Sequence, residues 1–297
     1  MPYAQSDGAK LYYEQTGTGY PIIFVHEFAA DHREWETQIR WFSREYRCIT
    51  FNARGYPPSE VPEDDRAYGQ DHAADDIAAV LRHLQIDRAH VVGLSMGAFA
   101  TLHFGLRHAA MASALVVAGG GSGAPKADRQ NFKTQSEAMA ARFLSEGSKK
   151  LAPEMGLSPT RVQLQIKDPR SWAEFVAHVG EHSAVGSANT LRNYQALRPS
   201  LYDLTDQLRR LTVPTLLVVG DEDEPCLEAN LFLKRTIPTA GLWIVPRTGH
   251  AVNLEEPAAF NAAVQSFFST VERGRWGLRD PRTLAGGVFG GPPPRSS

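Results

Sequence analysis

The stretch Gly93-Leu94-Ser95-Met96-Gly97 sets a serine between two glycines, after the apolar run "AHVVGL" and before a run of small and apolar residues. Glycines so placed suit a chain that turns abruptly from strand into helix. A side chain two positions from the serine would there meet neighbouring backbone. A helix opening at Met96 also aims its unpaired N–H groups and its positive end at the serine. A G-x-S-x-G also arises by chance, with the serine a plain helix N-cap, but a strand before it and a helix after it favour a nucleophile. A serine hydroxyl is a weak nucleophile, so it needs a general base, and the base needs an orienting acid. Downstream, "LLVVGDED" closes an apolar run at Gly220 and continues with Asp221, Glu222 and Asp223, while "LWIVPRTGHAVNLEEP" presents His250 in a glycine-containing loop. Singly, these read as solvated turn carboxylates and an ordinary loop histidine. Their order, and the position of each after a strand, fit acyl transfer. The Met96 N–H, directly after the serine, is a candidate donor to an oxyanion.

The elements that must hold these residues alternate. "KLYYEQTG", "YPIIFVH", "YRCITF", "AHVVGL", "SALVVAG", "VPTLLVVGD" and "GLWIVP" read as strands. Between them, "DHREWETQIRWF" and "DHAADDIAAVLRHL" carry apolar residues at helical spacing, with Asp31 (followed by Glu34) and Asp71 as expected caps. Further helices are expected from Met96 to about His108, over "EANLFLKRTI", and from Pro257. Strands and helices in this rhythm predict an α/β fold, a mostly parallel central sheet with helices on both faces. The rhythm lapses from about 130 to 202, where helices around Phe132–Phe143, Trp172–Val179 (capped by Ser171 with Glu174) and Leu191–Tyr194 are expected and no strand is. We assign 1–125 and 203–272 to the core, 126–202 to an inserted helical lid, and the Gly/Pro-rich 273–297 to a mostly disordered tail whose Trp276 and Phe289 could dock on the body.

The chain has 297 residues, 42% hydrophobic and 22% charged, with a net charge of −2. That balance offers no basic field for nucleic acid or an anionic membrane surface. Two isolated cysteines, Cys48 and Cys226, form no metal or redox motif and suggest a reducing compartment. Without a signal-peptide pattern or an apolar run near the ~18 residues of a membrane span, a cytoplasmic protein is expected. No phosphate loop or dinucleotide fingerprint is present, and His178 and His182, one helical turn apart, lack a third ligand; neither cofactor nor metal is expected.

With these motifs the chain resembles the α/β-hydrolase superfamily, in its lidded, cofactor-free serine hydrolase or esterase form, over about residues 8–270. The resemblance implies a catalytic triad of Ser95, Asp223 and His250. In that family the acid usually lies three positions after the glycine closing its strand, which selects Asp223 over Asp221. The other family position for the acid reads Gly119-Gly120-Gly121-Ser122, with no carboxylate. "TGH" at 248–250 resembles the family's histidine loop. "NARGYPPS" at 52–59 resembles its Arg-Gly turn, with Asn52 where aspartate is common and Pro57 where glycine is. By position the second oxyanion donor is the Phe28 N–H. Relatives carry His-Gly in that loop and this chain has His26-Glu27. Glu27 is expected to face solvent or pair with an arginine; a role in steering water or selecting substrate is the sharper alternative.

The expected activity is cleavage of a small carboxylic ester through an acyl-enzyme. Carbon–carbon hydrolysis of a diketone-like acid, lactonase or amidase action, and a slow-turnover ligand receptor on the same fold are the alternatives. Serine at position 95 argues against haloalkane dehalogenation, which needs a carboxylate nucleophile. The basic residues Arg161, Arg170, Arg192 and Arg198 could greet an acidic small-molecule substrate, although ordinary surface charge is the plainer expectation.

Overall fold

The computed structural model describes residues 2–284. Eight strands form one sheet: β1 (Tyr3–Ser6), β2 (Ala9–Thr16), β3 (Tyr20–Val25), β4 (Tyr46–Phe51), β5 (Ala89–Leu94), β6 (Ala112–Ala118), β7 (Thr215–Gly220) and β8 (Ala240–Val245). Their spatial order is β1-β2-β4-β3-β5-β6-β7-β8. β1 and β2 pair antiparallel, as do β2 and β4; every other pairing is parallel. The strand β1 was not among those expected. Its four residues carry only Ala4 and Ser6 inward, too short an alternation to register as a pattern.

The central strands are buried on both faces, as parallel strands between two helical layers must be. In β3, Ile23 and Val25 join one core with Ile77 and Leu81 of α2 (Gln70–His83), Leu102 of α3 (Met96–Arg107) and Leu233 of α10 (Glu224–Thr236). Ile22 and Phe24 face the opposite core with Phe42 of α1 (Glu36–Phe42) and Phe260, Val264 and Phe268 of α12 (Pro257–Glu272), which follows the short α11 (Val252–Glu255). The fold class is therefore the one read from the sequence.

Between β6 and β7 the chain is helical: α4 (Arg129–Glu146), α5 (Ser148–Gly156), α6 (Val162–Lys167), α7 (Pro169–Glu181), α8 (Ala184–Asn189), a π-helical turn at Thr190–Gln195 and α9 (Thr205–Arg209). Phe143, Leu151, Ala188 and Leu191 pack together and against Phe28, while Phe175 and Val179 pack on Ala29. The insertion thus sits on the loop that follows β3.

Several local expectations are corrected. Asp31 caps its helix through the Arg33 N–H, but Glu34 does not close a capping box; its carboxylate accepts the Glu27 N–H at 3.0 Å instead. Gly69, not Asp71, caps α2, and Asp71 pairs with Arg107. Asp168, not Ser171, caps α7, accepting the Ser171 N–H. Against the expectation of a disordered tail from residue 273, Trp276 and Arg279 dock on the core. Trp276 donates to Thr239 O and sets its ring edge-on against Phe267, and Arg279 holds carbonyls of residues 234, 235 and 238. The indole needs a surface that lacks a side chain, and Gly241 supplies it: a Cβ there would lie 2.7 Å from the ring. Phe289 lies outside the described residues.

Candidate active site

Ser95 stands at the corner between β5 and α3 with φ 53°, a left-handed conformation costly for any residue with a side chain. The glycines around it are required by contact. A Cβ on Gly93 would lie 2.2 Å from Gly97 O, and one on Gly97 would lie 2.1 Å from Val25 O. The strand end therefore folds against both the helix start and β3. The half-buried Ser95 opens into a cavity of about 860 Å³ whose lining includes Glu27, Phe28, Ser122, Arg161, Arg198 and His250.

The acid and the histidine loop are brought together by the same economy of side chains. A Cβ on Gly220 would fall 2.0 Å from Thr248 O, so the end of β7 touches the loop after β8 directly. Asp221 accepts the Thr248 N–H at 3.2 Å and the Glu222 N–H donates to Thr248 O. Asp223 alone of the three carboxylates reaches the imidazole, with Oδ2 2.8 Å from His250 Nδ1. Glu255, a residue sequence reasoning passed over, fixes the loop by accepting both the Gly249 and the Ala251 N–H. Burial works against a charged imidazole, yet the Asp223 carboxylate and its hydrogen bond hold the His250 pKa well above the ordinary histidine value. Asp223 is held low, because the charge and hydrogen bond of His250 outweigh the burial that would raise it. Both residues are almost fully buried.

Asp223, Cys226 and His250 each place a donor atom within 4.8 Å of the other two, the one group among the described residues with metal-ligand proximity. Its chemistry is poor for a metal. Burial pushes the Cys226 thiol up, so the thiolate is disfavoured, and the imidazole Nδ1 is committed to Asp223.

The loop after β3 is held by buried polar contacts, among them the arginine pairing expected as one alternative for Glu27. His26 is held by two bonds, its Nε2 accepting the Ala53 N–H at 3.0 Å and its Nδ1 2.7 Å from Glu27 O. With Nε2 an acceptor, the proton sits on Nδ1, and burial pushes the ring's pKa down so that it stays neutral. Neither the Phe28 nor the Met96 N–H donates to a carbonyl of the described residues. The flanking carbonyls are pinned: Tyr56 donates to Phe28 O and Tyr194 to Met96 O, each at 2.8 Å. Glu27 does not face solvent. It is 2% exposed, bonded through Oε1 to Arg161 of the insertion at 2.5 Å, with Oε2 3.8 Å from His250 Nε2. Arg161 in turn lies over the Phe175 ring at 4.5 Å. Just behind, burial and the charge of Glu27 hold the Glu34 carboxyl well above its usual range, which suits its neighbouring like charge.

The expectation of ordinary surface charge therefore fails for two of the four arginines. Arg161 and Arg198 are buried and line the cavity, Arg170 is exposed, and Arg192 is half-buried outside it. His182 is buried against Tyr56, and burial lowers its pKa to about 4. No described helix is long and apolar enough to cross a membrane.

Comparison with known proteins adds to this geometry. A model of the alpha/beta hydrolase fold family matches residues 20–257. Over 252 residues the chain is 24% identical to 3-oxoadipate enol-lactonase 1 of Acinetobacter baylyi, covering 84% of this chain and 89% of that protein. It is 25% identical over 287 residues to a non-heme haloperoxidase of Rhodococcus erythropolis, covering 91% of this chain and 100% of the relative. Among solved structures, a thermophilic esterase from Thermogutta terrifontis, with malate bound, superposes with a TM-score of 0.81 at 25% identity, covering 91% of this chain and 98% of the other.

Proposed function

The chain belongs to the alpha/beta hydrolase fold family, and from that premise we propose that it is a serine hydrolase of small carboxylic esters, working through an acyl-enzyme. The observation that carries this reading is that Ser95, on its strained corner, and His250 line one cavity, with Nδ1 of the imidazole tied to Asp223. In this reading Ser95 Oγ attacks the ester carbonyl as His250 Nε2 takes its proton. Asp223 holds the ring by the Nδ1–H and stabilises the imidazolium. The Phe28 and Met96 N–H groups receive the oxyanion, and the pinned carbonyls of the same two residues keep that loop and helix start in register. The imidazolium returns its proton to the departing alcohol. Water, deprotonated by the same nitrogen, then releases the acid and restores the serine.

Glu27 is no second base in this scheme, because its carboxylate is committed to Arg161. A lactone is an internal ester and passes through the same steps, its alcohol remaining attached to the acid. The relatives named esterase and enol-lactonase support both forms of substrate. The test is turnover of a panel of short alkyl esters and lactones by the wild type and Ser95→Ala. The substitution is expected to lower kcat by roughly 10⁵–10⁶-fold with unchanged circular dichroism, by analogy with another serine triad. Undiminished turnover by the variant would remove the proposal.

A further inference from the structure

Two buried arginines face the cavity, and only one has a carboxylate partner. Arg161 has Glu27. Arg198, just past the π-helical turn of the insertion and 4% exposed, has no carboxylate within salt-bridge distance among the described residues. Its guanidinium donates to Gln195 Oε1 and, at 2.5 Å, to Ser122 O, while its Nε–H is buried without a partner. Of the five N–H groups a guanidinium carries, at least one is thus left unmet. The cation is nevertheless held in place. It lies 3.6 Å from the centre of the Phe99 ring and 5.0 Å from that of Phe132. Burial lowers its pKa to about 9, so it remains charged at neutral pH at a cost that no internal anion offsets.

The other charges on the cavity wall do not change this balance. Glu154 pairs with Arg142 and Lys150 with Glu146, both at the exposed rim. Cys226, near Ser122, stays a neutral thiol because burial raises its pKa. Arg129, close behind on Phe132 and bonded to the Ala196 and Gly123 carbonyls, adds positive potential. The cavity that holds Ser95 therefore keeps one oriented, desolvated positive charge without a counter-ion. A neutral ester would leave it so; a carboxylate on the substrate would supply what is missing.

Resting on the serine hydrolase reading, we propose that the physiological substrate is an ester or lactone whose acyl portion carries a carboxylate, and that Arg198 receives it. Arg198 is a substrate-binding residue that orients the acyl chain so that its carbonyl reaches Ser95. Ser122 and Gln195 hold the guanidinium for it.

The probe pair is monoethyl adipate against ethyl hexanoate, equal in acyl length and differing in the terminal carboxylate, with release of the acid followed in a pH-stat. The wild type is expected to prefer the anionic ester by at least about 10-fold in kcat/KM. Arg198→Met should lower that preference ratio by roughly 30-fold or more, and Arg198→Lys, which keeps a charge without the fork, should restore part of it. A preference ratio unchanged by Arg198→Met overturns the proposal. Calorimetric titration of adipate into Ser95→Ala provides a second readout that needs no turnover. Binding that disappears in Ser95→Ala/Arg198→Met supports the anion site even if neither ester is cleaved, in which case the hydrolase reading alone fails. Adipate that does not bind, or binds equally with and without Arg198, overturns it.

Discussion

The buried pair of Glu27 and Arg161 offers a sharp perturbation, because it ties the loop after β3 to the insertion and borders His250. The partners are 2.5 Å apart with side chains 3% and 5% exposed. Removing one partner of such a pair strands a charge out of water, at a cost of about 3–5 kcal/mol, whereas replacing both with neutral groups of similar shape is near neutral. Arg161→Met and Glu27→Gln should therefore each lower the unfolding free energy by about 3–5 kcal/mol in urea. The double variant should recover most of that loss, a coupling well beyond the ~0.5 kcal/mol within which distant sites add. The activity profile adds a sign. Without Arg161, the carboxylate 3.8 Å from His250 Nε2 favours the imidazolium, so the acid limb of kcat/KM moves to higher pH. Without Glu27, the remaining cation of Arg161 disfavours it, and the limb moves down. Additive stability losses, or a shift of the limb in the same direction for both variants, would refute the reasoning.

Other outcomes follow from single contacts. Gly97→Ala puts a methyl 2.1 Å from the Val25 carbonyl oxygen, backbone that cannot yield without moving β3. We expect a loss at or above the ~1–3 kcal/mol of ordinary overpacking, read by urea denaturation, and no soluble active enzyme if the loss exceeds the total. Because catalysis needs the neutral imidazole, the acid limb of kcat/KM in the wild type should lie above about pH 6.5, and Asp223→Asn should move it down while lowering the maximum. Stability follows the opposite sense. The raised His250 pKa stabilises the fold in full below about pH 6.5, and that contribution declines as pH rises through the folded value. The share from Asp223 is present above about pH 3.9 and is lost as pH falls. Trp276→Ala should cost about 3 kcal/mol, the lower end of the range for deleting a packed tryptophan, in thermal or urea unfolding.

The legible part of the molecule was the part governed by local rules. Strands buried on both faces, Pro257 at the first turn of α12 and the glycines around Ser95 each leave a mark within a few residues of where they act. The choice of Asp223 needed the family resemblance, since Asp221 and Glu222 stand beside it with the same chemistry; only the fold shows Asp221 clasping the Thr248 N–H instead. What the sequence hid was long-range pairing. Arg161 meets Glu27 from 134 residues away, and nothing near either residue announces the partner. Glu34 escapes a local reading for the same reason. Its capping-box spacing is genuine, but a loop N–H seven residues earlier competes better for the carboxylate. Arg198 was visible only as one basic residue among several, because its distinction lies in burial and in the absence of a counter-charge. Trp276 sat in a Gly/Pro-rich stretch whose composition argues for disorder, and the bare surface at Gly241 that receives it lies on a distant strand.

The central claim is that the hydroxyl of Ser95 is made nucleophilic by His250. A fluorophosphonate probe followed by peptide mass spectrometry tests it most directly. The account predicts one stoichiometric adduct, on Ser95, absent in Ser95→Ala and formed at least about 100-fold more slowly in His250→Ala, in line with the loss of a general base. An adduct on another residue, or labelling of Ser95 at the same rate without the imidazole, would contradict it.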